Sequence, residues 1–241
     1  MLYSFCAVGG DQCLDGKEPQ GGVIFDAVGN LLGTTFRGGD SQGQVTGGTG
    51  VAYELSASDD TWSETVLHHF CAADACADGA FPVGNLAIDS TGNLIGAAVA
   101  GGNPCKPDSR GCGVIFKIVP DGISSEESVL YALCAKRDCR DGFAPRSGPI
   151  IDSAGNVFGT ASFGGGNDID TYSLGGGVVY EFAGGSYKVL HGFCAAPNCT
   201  DGEYPMAAPT LDAAGELFGT TSVGGPFGTG LEGGTAFELT P

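Results

Sequence analysis

A chain of 241 residues can bury a sizeable core, and its 44 glycines, with few long runs of strong helix formers, exclude a mostly helical fold. Ten basic residues against 28 acidic ones leave a formal net charge of −18, a field that repels phosphate backbones and sets nucleic acid aside as a partner. No apolar run reaches the ~20 residues of a membrane span, so membrane insertion is not expected.

The chain opens on a strand-like run, "LYSFC" (2–6), which enters a cysteine pair and an Asp-Gly, "FCAVGGDQCLDG" (5–16). The string returns as "FCAADACADG" (70–79), "LCAKRDCRDG" (133–142) and "FCAAPNCTDG" (193–202). A second marker, D-x-x-G-[NE], places Asp26, Asp89, Asp152 and Asp212 at spacings of 63, 63 and 60. The second cysteines (Cys13, Cys76, Cys139, Cys199) and the second glycines of four Gly-Gly pairs (Gly39, Gly102, Gly165, Gly225) keep the same spacings. Three markers with one period establish four copies of one unit.

Within a copy the strand signals follow in order. In the second copy they are "NLAID" (85–89), "NLIGAAV" (93–99), "GVIFKIV" (113–119) and "SVLYALC" (128–134), rich in β-branched and aromatic residues and bounded by turn formers. "DSTGN" joins the first two as a tight turn. The last copy stops on its third strand, "GTAFELTP" (234–241), while the N-terminus carries a spare closing strand. The expectation is an all-β, four-bladed β-propeller with four antiparallel strands per blade, closed by the N-terminal strand pairing into the last blade. The blades would span about 21–72, 83–135, 146–195, and 206–241 plus 2–6, in one domain.

All ten cysteines have a near neighbour, giving the pairs Cys6–Cys13, Cys71–Cys76, Cys105–Cys112, Cys134–Cys139 and Cys194–Cys199. Zinc knuckles favour C-x2-C and need converging pairs, so local disulfides and an oxidising compartment are expected. "MLYSFC" enters the repeat at once, so an extracellular or cell-surface protein read without its leader is expected. The Asp of each "DG" is expected to accept backbone hydrogen bonds in its own turn.

The unit "LYSFC" (2–6), "DGKEPQGGVIFDAVGNLLGTTFRGG" (15–39) and "GGTAFEL" (233–239) resembles the bacterial GloVer tandem repeat, a choice-of-anchor family of secreted or surface-anchored proteins. The resemblance covers practically the whole chain. It implies a repeat fold and carries no catalytic residues with it.

Residues that only build the fold recur, so a site should lie where the fourfold pattern breaks, on the end of the blades bearing the long loops. Arg37 faces Ala100, Phe163 and Val223 in its column, and Arg146 faces Gln20, Val83 and Met206. The third copy's loop "GGGNDIDTYSLGGG" (164–177) offers Asp168, Asp170 and Tyr172, and the fourth copy offers Glu203 and Tyr204. Arg37, Arg146, Tyr172 and Tyr204 are the candidate ligand-binding residues; Asp168, Asp170 and Glu203 are the carboxylates an enzyme would use. His68 and His191 share an outer-strand column with Tyr3 and Tyr131, which favours packing over metal ligation. No catalytic motif with a mechanism is present. The reading is a monomeric binding module for glycan or cell-envelope material, with no cofactor and no resident metal; calcium on the Gly-Asp loop is the alternative to that last point. A polysaccharide hydrolase or lyase, and a structural propeller holding an axial ion, are the competing functions.

Overall fold

The computed structural model describes residues 1–59, 61–105, 110–120, 125–166, 174–227 and 233–241. These fall into two compact units, Met1–Ala132 and Leu133–Pro241. The first unit holds two four-stranded antiparallel sheets. One is β1 (Ile24–Phe25), β2 (Leu31–Thr35), β3 (Val51–Ser58) and β4 (Thr61–His69). The other is β5 (Ala80–Ile88), β6 (Leu94–Ala100), β7 (Val114–Pro120) and β8 (Ser125–Ala132). The second unit holds β9 (Ile150–Ile151), β10 (Val157–Ala161), β11 (Val178–Ala183) and β12 (Ser186–Gly192), and a three-stranded sheet of β13 (Thr210–Leu211), β14 (Leu217–Thr221) and β15 (Thr235–Leu239). Each sheet runs in chain order, as four successive hairpin units require. Among the described residues helix is limited to four three-residue 3-10 turns, and no helix is long and apolar enough to cross a membrane.

Strand burial follows position in the sheet. The second strands β2 and β10 are buried throughout, whereas β4 alternates between exposed and half-buried side chains. A repeated device packs each sheet. The glycine of the second strand lies in register with the aromatic of the third: Gly33 with Tyr53, Gly96 with Phe116, Gly159 with Tyr180 and Gly219 with Phe237. The ring lies over the bare glycine, and a Cβ on Gly96 would come within 2.2 Å of the Phe116 ring. A second aromatic caps it: Phe70 meets Phe116 at 4.8 Å between centroids, and Phe193 meets Phe237 at 5.2 Å. In the first unit Leu32, Phe70, Leu86, Leu94, Val114, Phe116 and Ile118 form an apolar cluster; Phe158, Val179, Phe193 and Leu217 form one in the second. Outer strands carry a one-residue bulge, skipping Leu67, Leu130 and Leu190 in equivalent places.

The pairing expected of the N-terminal run is not seen. The last sheet has three strands, and residues 2–6 lie outside any strand. Their side chains are occupied otherwise: Tyr3 and Phe5 pack on Leu31, Val51, Tyr53 and Leu55, with Phe5 at 4.8 Å from the Tyr53 ring. Phe5 thus does for the first sheet what Phe70 does for the second.

Candidate functional site

The cysteine loops, from which any site on the long-loop end must be built, are staples. All five expected disulfides form and no described cysteine is free. In the four crossing loops both cysteines occupy the left-handed region, with φ from 46° at Cys139 to 67° at Cys6. That backbone is strained for any residue bearing a Cβ, and the covalent link holds it. The following Asp closes the loop. Asp78 accepts from the Ala72 and Ala73 amides at 2.9 and 3.1 Å. Asp15 does the same with Ala7 and Val8, Asp141 with Ala135 and Lys136, and Asp201 with Ala195 and Ala196. These are the backbone hydrogen bonds the turn chemistry predicts. The outer-strand column joins in: Tyr3 donates to Asp15 at 2.9 Å, and His68 and His191 lie 3.1 and 3.6 Å from Asp78 and Asp201. Burial alone would raise the Asp15 carboxyl, but its donors Ala7, Tyr3 and Val8 hold it below the ordinary value. Burial and that same hydrogen bond push Tyr3 up to about 12. His69 is different, accepting the Asp40 amide at Nδ1 (3.0 Å), and burial lowers its pKa.

The loops between second and third strands lie on these staples. Gly39, Gly102, Gly165 and Gly225 donate their amides to the carbonyls of Cys13, Cys76, Cys139 and Cys199 at 2.9–3.2 Å. Both loop types therefore share one end of each sheet, as strand alternation requires. At the start of this end, the residues that break the repeat face one another in pairs: Lys17 with Arg37, Ala80 with Ala100, Phe143 with Phe163 and Glu203 with Val223. The residue before each loop proline has positive φ: Glu18 at 57°, Phe81 at 58°, Ala144 at 52° and Tyr204 at 56°.

In the first unit these columns gather charge on an aromatic floor. Phe36 and Phe81 lie 5.2 Å apart. The Arg37 guanidinium stands 5.9 and 5.8 Å from their centroids, and the Arg110 guanidinium 5.9 Å from Phe81. Glu18 answers Arg37 at 3.3 Å, while Lys17 is its cross-strand neighbour. In the second unit Phe143, Phe163 and Tyr204 make an aromatic row at 5.3 Å spacings, and Arg146 is exposed. Glu203 is 7% exposed, and its carboxylate lies within 4.8 Å of the Cys194 and Cys199 sulfurs. Both sulfurs are committed to a disulfide, so that group cannot hold an ion. Asp168, Asp170 and Tyr172 lie outside the described residues.

A concave site lies at the opposite end of the first unit's sheets, and none of the residues nominated from sequence lines it. This cleft of about 450 Å³ is bounded by the turns after β1 and β5: Phe25, Asp26 and Val28 on one side, Ile88, Asp89 and Ser90 on the other, with Leu32, Glu54 and Pro120 completing it. Phe25 is 67% and Val28 84% exposed. Asn30 bridges Asp26 (2.9 Å) and Glu54 (3.1 Å) through its side-chain amide. Burial and the neighbouring Asp26 raise the Glu54 carboxyl, whereas Thr91 and Asn93 overcome the burial of Asp89 and hold it at about 2. The overlooked signal was Val28: an apolar residue at the tip of "DAVGN", where the other copies read "DSTGN", "DSAGN" and "DAAGE".

A family model described as the Gloeobacter/Verrucomicrobia repeat matches residues 2–231. The chain belongs to that repeat family, as the resemblance of its motifs implied. Comparison with curated proteins gives no match.

Proposed function

We propose that this member of the Gloeobacter/Verrucomicrobia repeat family is a monomeric extracellular binding module, its sheets closing into a four-bladed β-propeller that holds glycan or cell-envelope material on the long-loop end. Five local disulfides support an oxidising location. The observation that carries the binding reading is the gathering of Lys17, Arg37 and Arg110 around Phe36 and Phe81, in a chain with only ten basic residues. Lys17 and Arg37 stand opposite one another with Glu18 beside Arg37, and a bound anion would add a second counter-charge to the patch. Guanidinium groups held over the Phe36 and Phe81 rings suit a sugar that bears a carboxylate, because the rings fix the forks that take the acid. Glu203 weighs against the hydrolase reading, because it is buried beside a disulfide.

The test is one incubation of the protein with a panel of acidic and neutral polysaccharides, reading protein depletion and new reducing ends together. Depletion by acidic polymers, lost in Arg37→Ala, supports the module. New reducing ends would make it an enzyme. Neither result would leave the structural reading in first place.

A further inference from the structure

We infer that the cleft between the turns after β1 and β5 is a second binding site, and that its ligand is an amine-bearing sugar. It lies at the end of the sheets away from the cationic patch, so two ligands of opposite charge can be held by one module.

The cleft has the composition of a small-ligand site. It is concave, mostly apolar, and has a few polar groups directed at one place. Its apolar part is unusual for a solvent-facing turn. Phe25 occupies the column of Ile88, Ile151 and Leu211 and is the one aromatic there, yet 67% of it faces solvent. Nothing in the packing of β1 needs that ring: the core contact from this strand is made by Ile24. Val28, 84% exposed, extends the same apolar face across the turn. A flat ring beside a branched aliphatic side chain offers what the C–H face of a pyranose stacks upon.

The polar part selects charge. Asp26, Glu54 and Asp89 line the cleft, and among the described residues no Lys, Arg or His does so. Asp26 and Asp89 are engaged by their own turns, each accepting from two backbone amides and an Asn side chain. Among the described residues Glu54 accepts only the Asn30 amide, which leaves it the carboxylate best able to meet a ligand. It is held partly buried beside the like charge of Asp26, so its carboxyl resists ionisation. An ammonium group reverses both penalties, and neutral or acidic sugars do not. Sugar hydroxyls would meet the remaining acceptor positions of Asp26 and the Ser90 hydroxyl.

The experiment is a calorimetric titration of the full chain with glucosamine tetramer, N-acetylglucosamine tetramer and a galacturonate tetramer, at low and moderate salt. The amine tetramer should bind, with the acetylated one weaker by about tenfold or more and the affinity falling with salt. Glu54→Gln and Phe25→Ala should each weaken it by about tenfold, and Ser90→Lys, an exposed change that leaves the core alone, should abolish it. Arg37→Ala should leave this binding untouched while removing any galacturonate binding, which separates this site from the long-loop end. The inference is overturned if the amine tetramer gives no heat, if its acetylated form binds equally, or if both Glu54→Gln and Ser90→Lys bind as the parent does.

Discussion

The crossing loops and the second-to-third strand loops share one end of each sheet but follow opposite rules. In a crossing loop the two left-handed cysteines are held by a disulfide and two free amides by an Asp, with Tyr3, His68 and His191 beside Asp15, Asp78 and Asp201 in turn. The two cysteines and the Asp-Gly recur in every copy, while the residues between the cysteines vary. The second-to-third strand loops are anchored by paired glycines, which accept positive φ without strain and let the backbone of the crossing loop pass within contact. A Cβ on Gly38 would come within 2.6 Å of the Cys13 carbonyl. Beside those anchors the copies diverge, into Arg37, Ala100, Phe163 and Val223. Where the backbone's needs are closed by side chains, identity is locked; where glycine meets them, identity is free to serve a ligand.

Breaking the locked region should cost most. Asp78→Ala removes acceptors from two amides and strands the His68 partner, so a loss of about 3 kcal/mol in urea unfolding is expected. Asp40→Ala, in a second-to-third strand loop, should cost about 0.5 kcal/mol or less. Gly96→Ala drives a methyl into Phe116, for a loss of about 1–3 kcal/mol, sharper than at Gly92, whose Cβ would meet nothing within 4 Å and which bears only the φ penalty. Removing Cys71–Cys76 should cost about 2 kcal/mol from chain entropy. Removing Cys105–Cys112, which closes a longer loop (sequence separation 7 against 5) and holds no left-handed cysteine, should cost as much or more. A clearly smaller loss there would break the chain-entropy account.

The smallest effect is pH-dependent and comes from the outer strands. Glu64 and Glu127 sit in equivalent places on β4 and β8, and each has a buried Oε1 without a hydrogen-bond partner. Burial, and secondarily Asp15 or Asp78 on the staple, pushes both up to about 7 from an ordinary 4.5. In the second unit Tyr187 takes this place and donates to the Asp141 carbonyl at 2.6 Å. Because the folded pKa values are raised, their contribution is fully present below pH 4.5 and is lost as pH rises through 7. Asp15 and Asp89 are depressed and act the other way, their contribution fading as pH falls below 3.8. Thermal melts should therefore fall by several degrees between pH 5 and 8, and Glu64→Gln with Glu127→Gln should flatten that slope (about, at most, the effect of one lost staple). A slope unchanged in the double variant would show that the two carboxyls are solvated.

The four-copy organisation, the strands of each copy, all five disulfides and the Asp turns could be read directly from residues. Each of these is settled by neighbours within about ten positions, and repetition at a spacing of 63, 63 and 60 checks every reading but the Cys105–Cys112 pair three times. The N-terminal run shows where such reading stops. "LYSFC" has a strand's composition, yet Phe5 is placed by the Tyr53 ring, 48 residues on, and no local pattern contains that contact. The cleft is the same case on a larger scale. It exists because two turns 63 residues apart are brought side by side by packing between sheets, leaving Phe25 in water where its β-rich run reads as core. Periodicity and spacing determine which residues pair along a strand, since hydrogen bonding between adjacent strands is local and directional. Which side chains then meet across sheets depends on how close-packed surfaces fit, and only the tertiary structure decides that.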